Sequence, residues 1–162
     1  MNRRHLLLLA PIAAIVAACA TTPGETPVSV ADTIAREPEL STLNTLVVKA
    51  GLSDTLKTQA PLTVFAPTND AFKSVPAKTM DELAQDPAKL KAVLTYHVVP
   101  EKLTAADVKN TDVKTAQGGK VALSKAGEFV TVEDAMVQHA DIIATNGVVH
   151  TVDRVLMPPA SH

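Results

Sequence analysis

Apolar residues first form a stretch from Leu6 to Ala18, broken only by Pro11, directly after Arg3, Arg4 and His5 and directly before Cys19. From Ala20 to Val28 the chain turns to Thr, Pro, Gly and Glu without an apolar period, the pattern of a flexible tether. The folded part opens near Ser29. Ser29 with Asp32 and Thr33 predicts the start of a first helix, and Leu40, Leu43, Leu46, Val47 and Ala50 recur at helical spacing before Gly51 stops a second. Leu62 to Phe65, held between Pro61 and Pro67, is too short for a helix and rich in strand formers, so it predicts a buried strand. Thr68 can cap a helical turn through Phe72, Thr79 with Glu82 reads as a capping box, and Asp86 before Pro87 starts a helix running to about Tyr96. That helix carries Leu90, Val93, Leu94 and His97 on one stripe.

After a capped turn at Thr104 to Asp107 the period changes to two, with turns at Gly118-Gly119, Gly127 and Asn146-Gly147. Val121 and Leu123 alternate with Ala122 and Ser124. Phe129, Val130 and Val132 form the next strand, and Ile142-Ile143 and Val148 to Leu156 flank Asn146-Gly147, a hairpin signal. Helices followed by strands within one domain's length predict an α+β fold with an antiparallel sheet or sandwich rather than alternating βαβ units.

The first stretch changes the picture once its flanks are considered. It is shorter than the roughly 18 residues a membrane-spanning helix needs, and it has the charged, apolar and small-residue zones of an export signal. Val16-Ala17-Ala18-Cys19 resembles the cleavage box of bacterial lipoprotein signals. That resemblance implies cleavage after Ala18, acylation of Cys19 and a membrane partner reached through this lipid anchor, two acyl signals being what stable anchoring takes. Cys19 is the only cysteine, so an internal disulfide is excluded. Arg3-Arg4 also resembles a twin-arginine signal; general secretion fits the n-region as well and is preferred. The chain therefore divides into a signal at 1–18, a lipidated tether at 19–28, a domain at 29–158 and a tail at 159–162, exported and anchored to the cell envelope, at the outer membrane or periplasm in a Gram-negative cell.

Losing Arg3 and Arg4 with the signal leaves 13 of 15 basic side chains against 17 acidic ones, a formal charge of −4. With no tryptophan, one tyrosine and three phenylalanines, the mature chain lacks both the basic patch and the stacking rings of a nucleic-acid binder.

Two blocks carry more than pattern: LTVFAPTNDAF, Leu62 to Phe72, and DIIATNGVVHTVDRVLMP, Asp141 to Pro158, with Tyr96-His97-Val98-Val99 between them. In this order they resemble the fasciclin domain, over about Ser29 to Pro158. The resemblance implies a wedge-shaped β-sandwich of about seven strands packed against several helices from the N-terminal half, used outside the cell as an adhesion or interaction module. Most marks of the family have structural uses here. Pro67 ends the buried strand, Thr68, Asn69 and Asp70 offer acceptors to orphan backbone amides, Phe65 and Phe72 enter the core, and Asn146 and Gly147 tolerate the positive φ of a tight hairpin.

The resemblance also implies candidate binding residues. Tyr96 and His97 match a pair that fasciclin-like domains of animal matrix proteins use in receptor binding; hydrogen bonding within the fold is the competing and preferred reading, since buried polar atoms need partners. Asp141-Ile142 matches an Asp-Ile pair implicated in integrin recognition, against the plainer reading of a strand end with a solvated carboxylate. His150 alternates with Val148 and Val152 while Asp153 falls on the other face, so the two do not form a catalytic pair and His150 reads as a core histidine. His139 and Asp141 share a strand face by spacing, with Glu133-Asp134 upstream, but two ligands do not make a metal site. The chain carries no nucleophile motif, and no phosphate-cradling Gly-Lys-Ser/Thr follows the turn at Gly118-Gly119, so no cofactor and no catalytic residue are expected. The function expected is a lipid-anchored adhesion or interaction module with a protein, matrix or envelope partner. The alternative is a small-ligand or lipid carrier with its pocket between helices and sandwich, and an enzyme comes last.

Overall fold

The computed structural model describes residues 28–158. The signal, Cys19, the tether up to residue 27 and the tail 159–162 lie outside the described residues. Among the described residues no helix is long and apolar enough to cross a membrane.

The helical half is built by local rules. Helix α1, Val30–Arg36, starts where the Ser29 hydroxyl accepts the Asp32 amide at 3.2 Å and donates to the Asp32 carboxylate at 2.6 Å, satisfying an orphan helix donor. A 3₁₀ turn, Pro38–Leu40, leads into α2, Ser41–Lys49. Gly51, at φ +70°, ends α2 by letting the Gly51 and Leu52 amides fold back on the Val48 and Val47 carbonyls. Helix α3, Ser53–Thr58, has a single buried residue, Leu56, and no pattern predicted it. Helix α4, Asn69–Lys73, is capped by Thr68. Helix α5, Ala77–Gln85, begins earlier than the Thr79–Glu82 box predicts: Pro76 precedes it and the Met80 amide already bonds the Pro76 carbonyl, so Thr79 is inside the helix. Helix α6, Pro87–Tyr96, starts at Asp86, whose carboxylate accepts the Ala88 and Lys89 amides at 3.0 and 3.2 Å.

Seven strands follow one order in space, β2-β1-β7-β6-β5-β4-β3. They are β1 Leu62–Pro67, β2 Val98–Val99, β3 Thr111–Lys114, β4 Lys120–Ala126, β5 Phe129–Val132, β6 Ala135–Ala144 and β7 Gly147–Val152. Register shifts around His139 bend β6, which pairs at its start with β5 and farther along with β7. The Ala116 amide donates to the Val98 carbonyl at 2.7 Å, drawing the two ends of the strand order together. The expected α+β architecture of seven strands and N-terminal helices is what forms. One feature departs from an antiparallel sheet: β1 and β7 run parallel from Leu62 beside Gly147 to Pro67 beside Val152. Both strands are buried along their whole length, as a parallel pair covered on two faces requires.

Two apolar clusters result. One packs α1, α2, α3 and α6 on β1 and β7, through residues such as Ile34, Leu43, Leu90 and Val149. The other fills the interior of the strand wedge with Phe65, Tyr96, Val121, Leu123, Val132 and Val152.

The last hairpin corrects an expectation. Ala144 pairs with Gly147, so the turn residues are Thr145 and Asn146, and positive φ occurs at neither Asn146 nor Gly147. Glycine is required at 147 for another reason: a Cβ there would collide with the Leu62 carbonyl on the parallel neighbour. Asn146 works through its carboxamide, accepting the Val30 amide at 2.8 Å and donating to the Leu56 and Gln59 carbonyls at 2.7 and 2.8 Å. β7 also stops at Val152, short of the Leu156 expected. Asp153 turns back instead, exchanging hydrogen bonds with Met136 through its amide and its carboxylate.

Candidate functional site

The residues singled out in the sequence fall into two groups, one at the end of α6 and one around β7 and the bend in β6. At the end of α6, Tyr96 and His97 are both buried, with exposures of 3% and 1%. The Tyr96 hydroxyl donates to the Lys120 carbonyl at 2.9 Å, tying α6 to the start of β4, and burial pushes the phenol pKa up, with the Glu133 carboxylate adding to it. The His97 ring donates from Nδ1 to the Val93 carbonyl at 2.7 Å and accepts the Leu156 amide on Nε2 at 2.9 Å. Since a carbonyl can only accept and an amide only donate, these contacts select the neutral Nδ1–H tautomer. Burial holds its pKa down at about 4, the Val93 carbonyl opposing this in part. Every polar atom of the pair is thus committed inside the fold, which favours the structural over the receptor-contact reading of Tyr96-His97.

The second group surrounds His150, 2% exposed and stacked on Phe65 with ring centroids 5.6 Å apart. Its Nε2 donates to the Leu103 carbonyl at 2.6 Å and its Nδ1 accepts the Asp141 amide at 3.1 Å, the opposite tautomer to His97. Burial again lowers its pKa, against the pull of the Leu103 carbonyl and the Asp141 carboxylate. Asp153, bonded to Met136, plays no part here.

Asp141 sits between the shifted registers of β6, at φ +59°. This break in strand alternation undoes the expectation that His139 and Asp141 share a face. The Asp141 carboxylate is exposed and accepts the Ala105 amide at 2.7 Å through one oxygen, Oδ1. Ile142 is partly buried against the helical cluster, while Ile143 is 58% exposed. An exposed carboxylate and an apolar side chain therefore lie two residues apart on a bent strand.

Sequence reasoning missed what holds the segment 100–110 over β1 and β7. Buried Thr63 donates to the Glu101 carbonyl at 2.6 Å and accepts the Leu103 amide at 2.8 Å; the Lys125 ammonium donates to the Ala105 carbonyl at 2.8 Å. Within the segment, Thr104 and Asp107 close the expected turn, and the Thr104 hydroxyl bonded to it holds the Asp107 carboxyl below its usual range. A threonine inside an otherwise apolar strand was the only available signal.

The remaining family-block residues have local contacts. Phe65 is completely buried and Phe72 nearly so. Asn69 accepts the Thr42 amide at 3.0 Å and donates to the Pro38 carbonyl at 3.0 Å, fastening α4 to the start of α2. Asp70 takes no backbone amide; it pairs instead with the Lys73 ammonium at 2.8 Å, out in solvent.

Between α2, α3, α6 and β1 lies a cavity of about 30 Å³, walled by Leu43, Val47, Leu56, Val64, Leu94 and Val98. Small-molecule sites occupy roughly 300–1,000 Å³, so this interior space is too small for a carrier's ligand, whereas open clefts of about 670 and 490 Å³ lie along Arg154 to Met157. Among the described residues no three His, Cys, Asp or Glu side chains assemble as a metal-binding group.

The fasciclin domain family model matches residues 38–158. Protein sll1483 of Synechocystis is 42% identical over 148 residues, covering 90% of this chain and 81% of that protein. Immunogenic protein MPB70 of Mycobacterium bovis is 40% identical, covering 83% of this chain and 70% of its own length. Transforming growth factor-beta-induced protein ig-h3 of Sus scrofa is 39% identical over 82% of this chain, which spans only 20% of that longer protein. Among solved structures, a FAS1 domain pair from the insect cell adhesion molecule fasciclin I superposes with a TM-score of 0.62 at 23% identity, covering 76% of this chain and 46% of that one.

Proposed function

Because the chain belongs to the fasciclin domain family, we propose that it is an exported interaction module that binds a protein, matrix or envelope partner through its surface. The family match over 38–158 carries this reading, and the name of one structural relative, a cell adhesion molecule, gives it direction. The physical state of the interior is consistent with it. Tyr96, His97 and His150 spend their polar atoms on backbone groups, which gives these side chains structural work. The patch offered to a partner is the bent stretch of β6, where Asp141 supplies a carboxylate oxygen and Ile143 an exposed apolar contact.

The N-terminal reading belongs to the same proposal. Cys19 carries the lipid, residues 20–28 span from the membrane to α1, and the domain is displayed at the envelope. Loss of membrane pelleting in Cys19→Ser, with the soluble domain still folded, tests the anchor.

The binding reading is tested by placing a photo-cross-linker at position 140 of the full-length protein on intact cells and identifying adducts by mass spectrometry. Adducts that vanish when Asp141→Ala and Ile143→Ser are combined, with melting temperature held, support the patch. No adducts, or adducts indifferent to both changes, reject it.

A further inference from the structure

His150 makes two contacts of opposite polarity with two separate pieces of chain. Its Nε2–H holds the Leu103 carbonyl of segment 100–110, and its bare Nδ1 holds the Asp141 amide of β6. Asp141 in turn reaches the same segment, since its Oδ1 accepts the Ala105 amide. Ring, bulge and segment form a closed loop of three hydrogen bonds, and only one arrangement of protons satisfies all three. An imidazolium has N–H on both nitrogens, so the Asp141 amide would then face another donor. An acceptor able to take its place is the Asp141 carboxylate, which belongs to the same residue and whose charge acts on the ring.

We propose that His150 is a proton-operated latch: on protonation its Nδ1–H turns away from the Asp141 amide to the Asp141 carboxylate, which lets go of the Ala105 amide and frees segment 100–110 from β6. The device goes beyond the binding reading, since it operates without a partner. It also gives that reading a control, because the carboxylate withdrawn toward the ring is the one presented on the surface.

The surrounding charges fit a local change. β1 contributes only neutral neighbours, Thr63 and Phe65. β6 carries Asp141 and the exposed His139, the segment carries Glu101, Lys102, Asp107 and Lys109, and β4 supplies Lys125, whose ammonium stays on the Ala105 carbonyl. Asp141 is the only one of these carboxylates that accepts a hydrogen bond from the segment across β6. The αL backbone at Asp141 is a position that favours small polar residues, and it falls at a register shift outside the regular ladder with β7.

The experiment is amide hydrogen exchange by NMR on the domain as a function of pH, with ¹⁵N shifts of the His150 ring followed in parallel. At neutral pH the ring should show Nε2–H and bare Nδ1. As it titrates, the protection factors of Ala105 and Asp141 should fall about tenfold or more beyond the decline of Val64 and Val149 in the paired strands, which follows global stability. Asp141→Asn keeps an acceptor for Ala105 but cannot neutralise an imidazolium, so ring titration and unlatching should both move to lower pH. Unchanged protection at Ala105 across the ring titration overturns the proposal. So does a fall at Ala105 and Asp141 no larger than that at Val64 and Val149, which would make the opening global, or an Asp141→Asn profile identical to wild type. Failure of the cross-linking experiment leaves this result untouched, and the reverse holds as well.

Discussion

His97 Nε2 accepts the backbone amide of Leu156 at 2.9 Å, joining the end of α6 to chain that lies 59 residues later, past the final strand. The bond exists only while the ring is neutral. The His97 pKa falls from 6.5 unfolded to about 4 folded, so between these values the unfolded chain binds more protons and stability declines as pH falls. The contribution is complete above pH 6.5 and spent by about pH 4, and a shift of this size corresponds to about 3 kcal/mol. Urea unfolding at a series of pH values should show that loss, and His97→Gln should flatten it while lowering stability at neutral pH.

Gly147→Ala should destabilise the domain by about 3 kcal/mol or more, because backbone meets backbone and neither strand can yield without breaking the parallel register. A lower urea midpoint at an unchanged slope checks it. A loss below 1 kcal/mol would mean that the two strands separate easily at that end.

Asn146→Ala strands the buried Val30 amide and releases two carbonyls, for a loss of about 3 kcal/mol. Asn146→Asp keeps the acceptor for Val30 but sets a charge against the Leu56 and Gln59 carbonyls. It should melt at least as low at pH 7 and recover toward the alanine value as the carboxyl protonates.

Asp86 and Thr79 form a contrasting pair. Asp86→Ala removes a working cap from α6 and should cost about 1 kcal/mol, with Asp86→Asn nearly neutral. Thr79→Ala changes a residue inside α5 and should cost nothing or stabilise slightly, since alanine is the better helix former. Thermal melts of the three variants decide it.

Features governed by neighbours in sequence were legible. Ser29, Thr68 and Asp86 all cap helices where the residue type and the following pattern placed them, and Gly51 ends α2 by the backbone it permits. Features governed by distant contacts were not. The run Leu62–Pro67 reads equally well as any buried strand, and only its pairing with β7 makes it parallel. Gly147 suits a turn by composition, yet Leu62 claims it for a strand. Helix α3 gives too thin a signal with one buried residue, and Thr79–Glu82 satisfies a local motif that Pro76 pre-empts. Around the candidate site, alternation along β6 misplaces Asp141 because β6 takes an extra residue against β7 at each of two register shifts, and its link to His150 crosses the hairpin, out of reach of any spacing rule.

The Asn146 clamp has a mechanical side. Val28, the first described residue, takes the Thr145 amide on its carbonyl, and Val30 hands its own amide to Asn146. A pull arriving along the preceding chain therefore loads the tip of the β6–β7 hairpin before it can peel α1 away. From there tension runs into β7, which is hydrogen-bonded along both edges, to β1 and to β6. Force entering at residue 28 is therefore met first by a strand paired along both edges rather than by a helix end.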